Sequence, residues 1–174
     1  IAAGLRHIDP DAAQYRLALM LTDEDPRVVP SVLEALVAVR ASDAAATLTE
    51  YLVSPDVVVR RTAARLLGEL QPEGGEARLA DAYRAGRSDA SYLARSAALE
   101  ALAAYGGPLA VETLRSAFDD ADWAVRVHAA ELLGTLEPGQ DYEEAIRPAP
   151  DHRGVDYAAA HLIRPTVSPH VYIE

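Results

Sequence analysis

Three arginines, Arg60, Arg95 and Arg126, each stand four residues after a side chain suited to cap a helix, namely Asp56, Ser91 and Asp122. A guanidinium there can bind an anion or turn back on the helix start beside it, and the nearness of the cap favours the structural duty. Carboxylates gather twice, at Asp119, Asp120 and Asp122 and at Asp141, Glu143 and Glu144. Such groups can serve acid–base chemistry or hold calcium. Neither has the spacing of a calcium loop. The first group ends one expected helix and caps the next, and the second begins a helix, where the backbone dipole attracts negative charge. His152, His161 and His170 are too widely spaced, in a proline-containing stretch, to form the compact histidine pair of a metal site. Serine, histidine and aspartate all occur, but no glycine-rich strand-to-helix elbow brings them together. The expectation is no catalytic residue, no metal ligand and no cofactor site.

Composition narrows the chemistry further. The 174 residues carry a formal net charge of −11 and a pI of about 4.8, which disfavours nucleic acid, since phosphate binding needs clustered cations. The sequence holds no cysteine and no lysine, so thiol nucleophiles, disulfides, Schiff-base amines and a phosphate-cradling lysine drop out together. All basic side chains apart from histidine are arginine and asparagine is absent, a bias typical of GC-rich bacterial coding. No apolar run approaches the roughly 20 residues needed to span a bilayer. Localisation is not legible.

The elements that must position these side chains emerge from self-similarity. Asp56-Val57-Val58-Val59-Arg60, followed by Ala63-Ala64-Arg65-Leu66-Leu67-Gly68, recurs 66 positions later as Asp122-Trp123-Ala124-Val125-Arg126 and Ala129-Ala130-Glu131-Leu132-Leu133-Gly134. The unit is half that length. Successive offsets of 31, 35 and 31 residues align Leu36, Leu67, Leu102 and Leu133, and also Val39, Leu70, Tyr105 and Leu136. A second helix in each unit aligns Leu17, Leu48, Leu79 and Leu114, with Leu21, Leu52, Tyr83 and Phe118 four residues on, the spacing of one helix face. The extra four residues of the long unit fall in the loop 84–90.

Asp25, Asp56, Ser91 and Asp122 occupy the capping column, and Gly74-Gly75, Gly106-Gly107 and Pro138-Gly139 separate first from second helices. Pro30 should delay or kink the first helix of its unit. The fold class is therefore all-α, an α-solenoid of about four to five antiparallel helix pairs with an irregular or strand-like tail. The repeat domain covers 1–148, with a partial unit at 1–24 and units at 25–55, 56–90, 91–121 and 122–148. A linker and strand-like segment fill 149–174. Starting in mid-repeat at Ile1, the chain reads as a piece of a larger bacterial protein.

The pattern Asp-x-x-Val-Arg-x-x-Ala-Ala-x-Leu-Leu-Gly in the second and fourth units resembles the HEAT-like repeats first grouped with phycobilisome bilin lyases. That resemblance specifies the fold and, since such repeats occur in scaffolds, lyase-type chaperones and DNA-repair modules, leaves the function open; it implies that Asp56 and Asp122 pair with Arg60 and Arg126 of their own or adjoining units in a ladder along the stack. Arg95 fits that column, whereas Val29 and Ser91 interrupt it. Family geometry assigns a ligand-binding face to the second helices, whose outward columns include Tyr15, Thr47, Glu50, Arg78, Asp81, Glu112 and Arg115. The mixed charge of that face suits a protein or peptide partner better than a polyanion. The tail Ser168-Pro169-His170-Val171-Tyr172-Ile173-Glu174 is similar to the opening strand of cyclophilin-type prolyl isomerases that follow HEAT-like repeats in bacterial proteins.

Three roles follow from the resemblance. They are a non-catalytic protein-binding scaffold, a module presenting substrates to a peptidyl-prolyl isomerase, and a bilin-lyase-like module holding a cofactor. Tyr92 and Trp123 occupy equivalent first-turn positions, which suits packing between repeats or anchoring a partner. His128 shares a column with Ser31, Thr62 and Ala97 and is expected on a solvated surface.

Overall fold

The computed structural model describes residues 10–142 apart from Glu24 and Pro26. The strand expected at the end of the chain and the second helix of the last unit lie outside the described residues. Within them the order is α1 (Pro10–Met20), α2 (Val29–Ala38), α3 (Ala44–Tyr51), α4 (Val57–Leu70), α5 (Gly75–Gly86), α6 (Leu93–Tyr105), α7 (Pro108–Ser116), a 3-10 turn (Ala117–Asp119) and α8 (Trp123–Leu136). The first helices α2, α4, α6 and α8 pack on one another in sequence. Helices α3, α5 and α7 each pack against the first helix of their own unit and that of the next, and α1 packs against α2. This nearest-neighbour stacking of helix pairs is the α-solenoid the repeat implies.

Helix boundaries follow local chemistry. Asp56 caps α4 by accepting the backbone N–H groups of Val58 and Val59, and Asp122 caps α8 by accepting that of Ala124. Ser91 stands one residue too early to be the cap of α6, which starts after Tyr92, although its Oγ accepts from the Leu93 N–H at 3.4 Å. Asp25 does not cap α2 either. Its carboxylate takes the backbone and side-chain N–H groups of Arg27, and α2 begins only at Val29, with Pro30 in its first turn, where the missing N–H costs nothing. The chain leaves α2, α4 and α6 through one left-handed residue in equivalent positions, Arg40 (φ 56°), Gln71 (φ 44°) and Gly106 (φ 67°). Only the last is the glycine such a conformation prefers.

Leu36, Leu67, Leu102 and Leu133 are buried in one continuous core with Leu17, Leu48, Leu79 and Leu114. The Val39 column sits at the helix ends and is only partly covered, with Leu70 exposed. First helices α4 and α6 approach closely at Gly68, where an added Cβ would lie 2.6 Å from the Ala101 Cβ. Gly134, its equivalent in α8, has open space at the same position. The His128 column departs from expectation in part. Thr62 and Ala97 are buried, Ser31 is exposed and His128 is half exposed, with Ala97 turned to the cleft with α4 and His128 to the cleft with α6.

Candidate functional site

Two arrangements bring the singled-out residues together. The first is a polar relay through the loops between units. Arg60 donates through Nη1 to the carbonyls of Ser54 (2.6 Å) and Pro55 (3.1 Å) in the loop before its own helix, and through Nη2 to the carboxylate of Asp89 (2.5 Å) in the loop before the next first helix, α6. Arg95 repeats the pattern. Its Nη1 donates to the carbonyls of Gly86, Asp89 and Ser91, while Nε and Nη2 donate to Asp120 at 3.1–3.3 Å. Arg126 continues it with the carbonyls of Asp120 (2.7 Å) and Ala121 (3.3 Å). Asp89 and Asp120 thus each give a backbone carbonyl to one arginine and a carboxylate to the preceding one, in the unbroken order Arg60, Asp89, Arg95, Asp120, Arg126.

The ladder implied by the family resemblance is therefore built with different carboxylates. Asp56 and Asp122 are engaged by helix-start N–H groups, and the rungs come from Asp89 and Asp120, two residues before the capping column. The reason is reach: an arginine on the first turn faces the loop behind its own cap and the corresponding loop ahead. That column, Asp23, Ser54, Asp89 and Asp120, obeys the same 31, 35 and 31 offsets as the leucines and was available in the sequence. Its side chains also receive the N–H of the capping residue, as Asp23 does from Asp25 (2.9 Å) and Asp120 from Asp122 (2.9 Å).

The rungs differ in depth. The side chains of Arg60 and Asp89 retain some exposure, whereas those of Arg95 and Asp120 are 3% and 1% exposed. Tyr83, fully buried on α5, donates its hydroxyl to Asp120 Oδ2 at 3.2 Å. Burial and the adjacent Asp120 carboxylate push the Tyr83 phenol far above the usual tyrosine range. No buried side-chain polar atom among the described residues lacks a partner. With its arginines bound to backbone carbonyls and carboxylates, the relay is a joint between units and leaves no guanidinium directed at a ligand.

The second arrangement is the face of the second helices. Tyr15 on α1 is 68% exposed, and Glu50 on α3, Arg78 and Asp81 on α5, and Glu112 and Arg115 on α7 are also exposed. Thr47 on α3 is half-buried. Glu50 and Arg78 come together on a cavity of about 630 Å³ between α3 and α5, with Ala46, Thr49, Glu73 and Ala77 among its other walls. Asp81 is held by Arg84 one turn on, and Arg115 donates to Glu137 after α8 at 2.8 Å. The Tyr142 hydroxyl and then Arg115 hold the Glu137 carboxyl below its ordinary range, and Glu137 in turn raises the Tyr142 phenol. Arg115 is thus tied to its own chain.

Tyr92 and Trp123 are exposed and line an open groove between α6 and α8. Among the described residues the close ring pair is instead Phe118 with Tyr142, centroids 5.7 Å apart. No group of potential metal ligands gathers among the described residues. No described helix is long and apolar enough to cross a membrane.

Stacked antiparallel helix pairs joined by a repeating interunit relay define a helical-repeat solenoid. The chain belongs to the HEAT repeat family: the model of HEAT repeats matches residues 1–68, 46–134 and 83–149. No curated protein matches it.

Proposed function

We propose that the chain is a non-catalytic scaffold that holds a protein or peptide partner along its second helices. The observation that carries this is the α3/α5 cavity, whose small walls, Ala46, Thr49 and Ala77, let another chain approach while Glu50, Glu73 and Arg78 offer both signs of charge. Mixed charges over small side chains suit a peptide with charges of its own. A polyanion would meet two carboxylates there, and a tetrapyrrole calls for a predominantly apolar enclosure. A bilin-lyase-like role is correspondingly less well supported. Presentation of substrates to a peptidyl-prolyl isomerase would use this same face, and the segment that suggests it lies outside the described residues.

The test is to select binders from a random peptide library and map the best by amide chemical-shift perturbation. Shifts concentrated on α3 and α5, with binding lost in the double variant Glu50→Arg, Arg78→Glu, are expected. Binders that leave α3 and α5 unperturbed would remove the assignment of the face.

A further inference from the structure

The groove between α6 and α8 is a second surface, on the first-helix layer and separate from the face just described. It has a volume of about 350 Å³, with Tyr92 on one side, Trp123, Val127 and His128 on the other, and Glu131 among its lining residues. Tyr92 is 38% and Trp123 44% exposed, so two large aromatic side chains meet solvent in one groove. They are not required by the repeat, whose equivalent positions hold Pro26 and Val57.

The repeat itself indicates what belongs beside them. One column of the first helices reads Glu34, Arg65, Glu100 and Glu131. Between the first two of these units Arg65 donates through Nη2 to Glu34 at 2.6 Å, so a guanidinium bridges neighbouring first helices on this surface. The last two positions, 31 residues apart as Glu34 and Arg65 are, both carry carboxylates. Glu100 enters none of the ion pairs among the described residues, and the side chain of Glu131 is 70% exposed with the His128 Nδ1 at 3.7 Å. The α6/α8 junction thus has two carboxylates in this column, with the His128 imidazole beside Glu131 where the α2/α4 junction has a guanidinium.

We propose that this groove receives an arginine side chain of a protein partner, the guanidinium pairing with Glu131 and stacking on Trp123 and Tyr92. A guanidinium combines carboxylate pairing with weak hydration and stacking on aromatic faces, which is the combination of surfaces present. The net charge of −11 draws a basic segment towards the chain.

Trp123 is the single tryptophan of the sequence, so its emission reports on the groove. The experiment titrates the 174-residue chain, in about 0.15 M salt to screen diffuse attraction, with a blocked peptide of alternating alanine and arginine. The glutamine counterpart is the control. The expected result is a saturable change in Trp123 emission with the arginine peptide alone. Anisotropy of a labelled arginine peptide should show binding weakened by about tenfold or more in Glu131→Gln and in Tyr92→Ala, and by less than about twofold in Asp43→Asn, which lies on neither surface. Glu131 and Asp43 are exposed, so both substitutions leave the fold intact, which circular dichroism checks. Equal weakening by Glu131→Gln and Asp43→Asn would reveal only diffuse attraction to an acidic protein and overturn the proposal. So would an unchanged Trp123 signal, or a signal that follows protein concentration without peptide and so reports a second copy in the groove.

Discussion

Arg95 and Asp120 form a buried ion pair that removal of one partner would leave as an uncompensated charge. Asp120→Ala is expected to destabilise by about 3–5 kcal/mol. Asp89→Ala, which breaks the partly exposed rung, should cost about 1 kcal/mol or less. Urea midpoints should rank them in that order; equal losses would show that depth does not distinguish the rungs. Tyr83 makes a second prediction. Because its folded phenol titrates above the unfolded one, its contribution to stability is intact below the ordinary tyrosine range, about pH 10, and is lost as the pH rises beyond it. With no lysine or cysteine in the chain, tyrosines dominate titration there. Tyr83→Phe should flatten the alkaline loss of stability, and an unchanged slope would place its origin in other tyrosines. The arginines of the relay were legible from their caps. Asp120 was hidden in plain sight within an acidic cluster, where a helix-end role accounted for it without any buried partner.

At the scale of the helix, Gly68 and Gly134 occupy one sequence column in opposite surroundings. Gly68→Ala would drive a methyl group into Ala101 and should destabilise by about 1–3 kcal/mol. Gly134→Ala meets nothing within 4 Å and should instead be neutral or stabilising, by up to about 1 kcal/mol, through helix propensity. Thermal unfolding of the two variants checks this, and a shared sign would mean that the helix approach at Gly68 is looser than described. Leu67→Ala and Leu102→Ala should each cost about 2–5 kcal/mol by emptying buried sites. These leucines were readable because helical spacing and repeat offset agree on them. The start of α2 was less so, since an aspartate in the capping column can hold a neighbouring arginine instead, and Pro30 then sets where the helix begins. The exposure of the His128 column was less legible, since it borders the cleft towards the preceding first helix, where Ala97 is covered and His128 is half exposed.

For the whole molecule, stability should vary along the stack because each helix pair contacts only its neighbours. Helices α4 and α6 are enclosed by first helices on both sides among the described residues, whereas α1 and α8 lie towards its margins. Native-state hydrogen exchange should find the slowest amides in α4 and α6. Uniform protection from α1 to α8 would indicate a single cooperative block. Far-UV circular dichroism should be dominated by helix.

The relay also bears on how such a chain can grow. A unit of this type brings a loop with its acceptors at the front and an arginine just behind, so the gene segment encoding it transmits both halves of a joint. Most of the acceptors are main-chain carbonyls, which nearly any loop sequence supplies. A tandem duplication in register would therefore arrive with its couplings already compatible. Its first requirement would be to retain one arginine and one aspartate while the surfaces around them diverge.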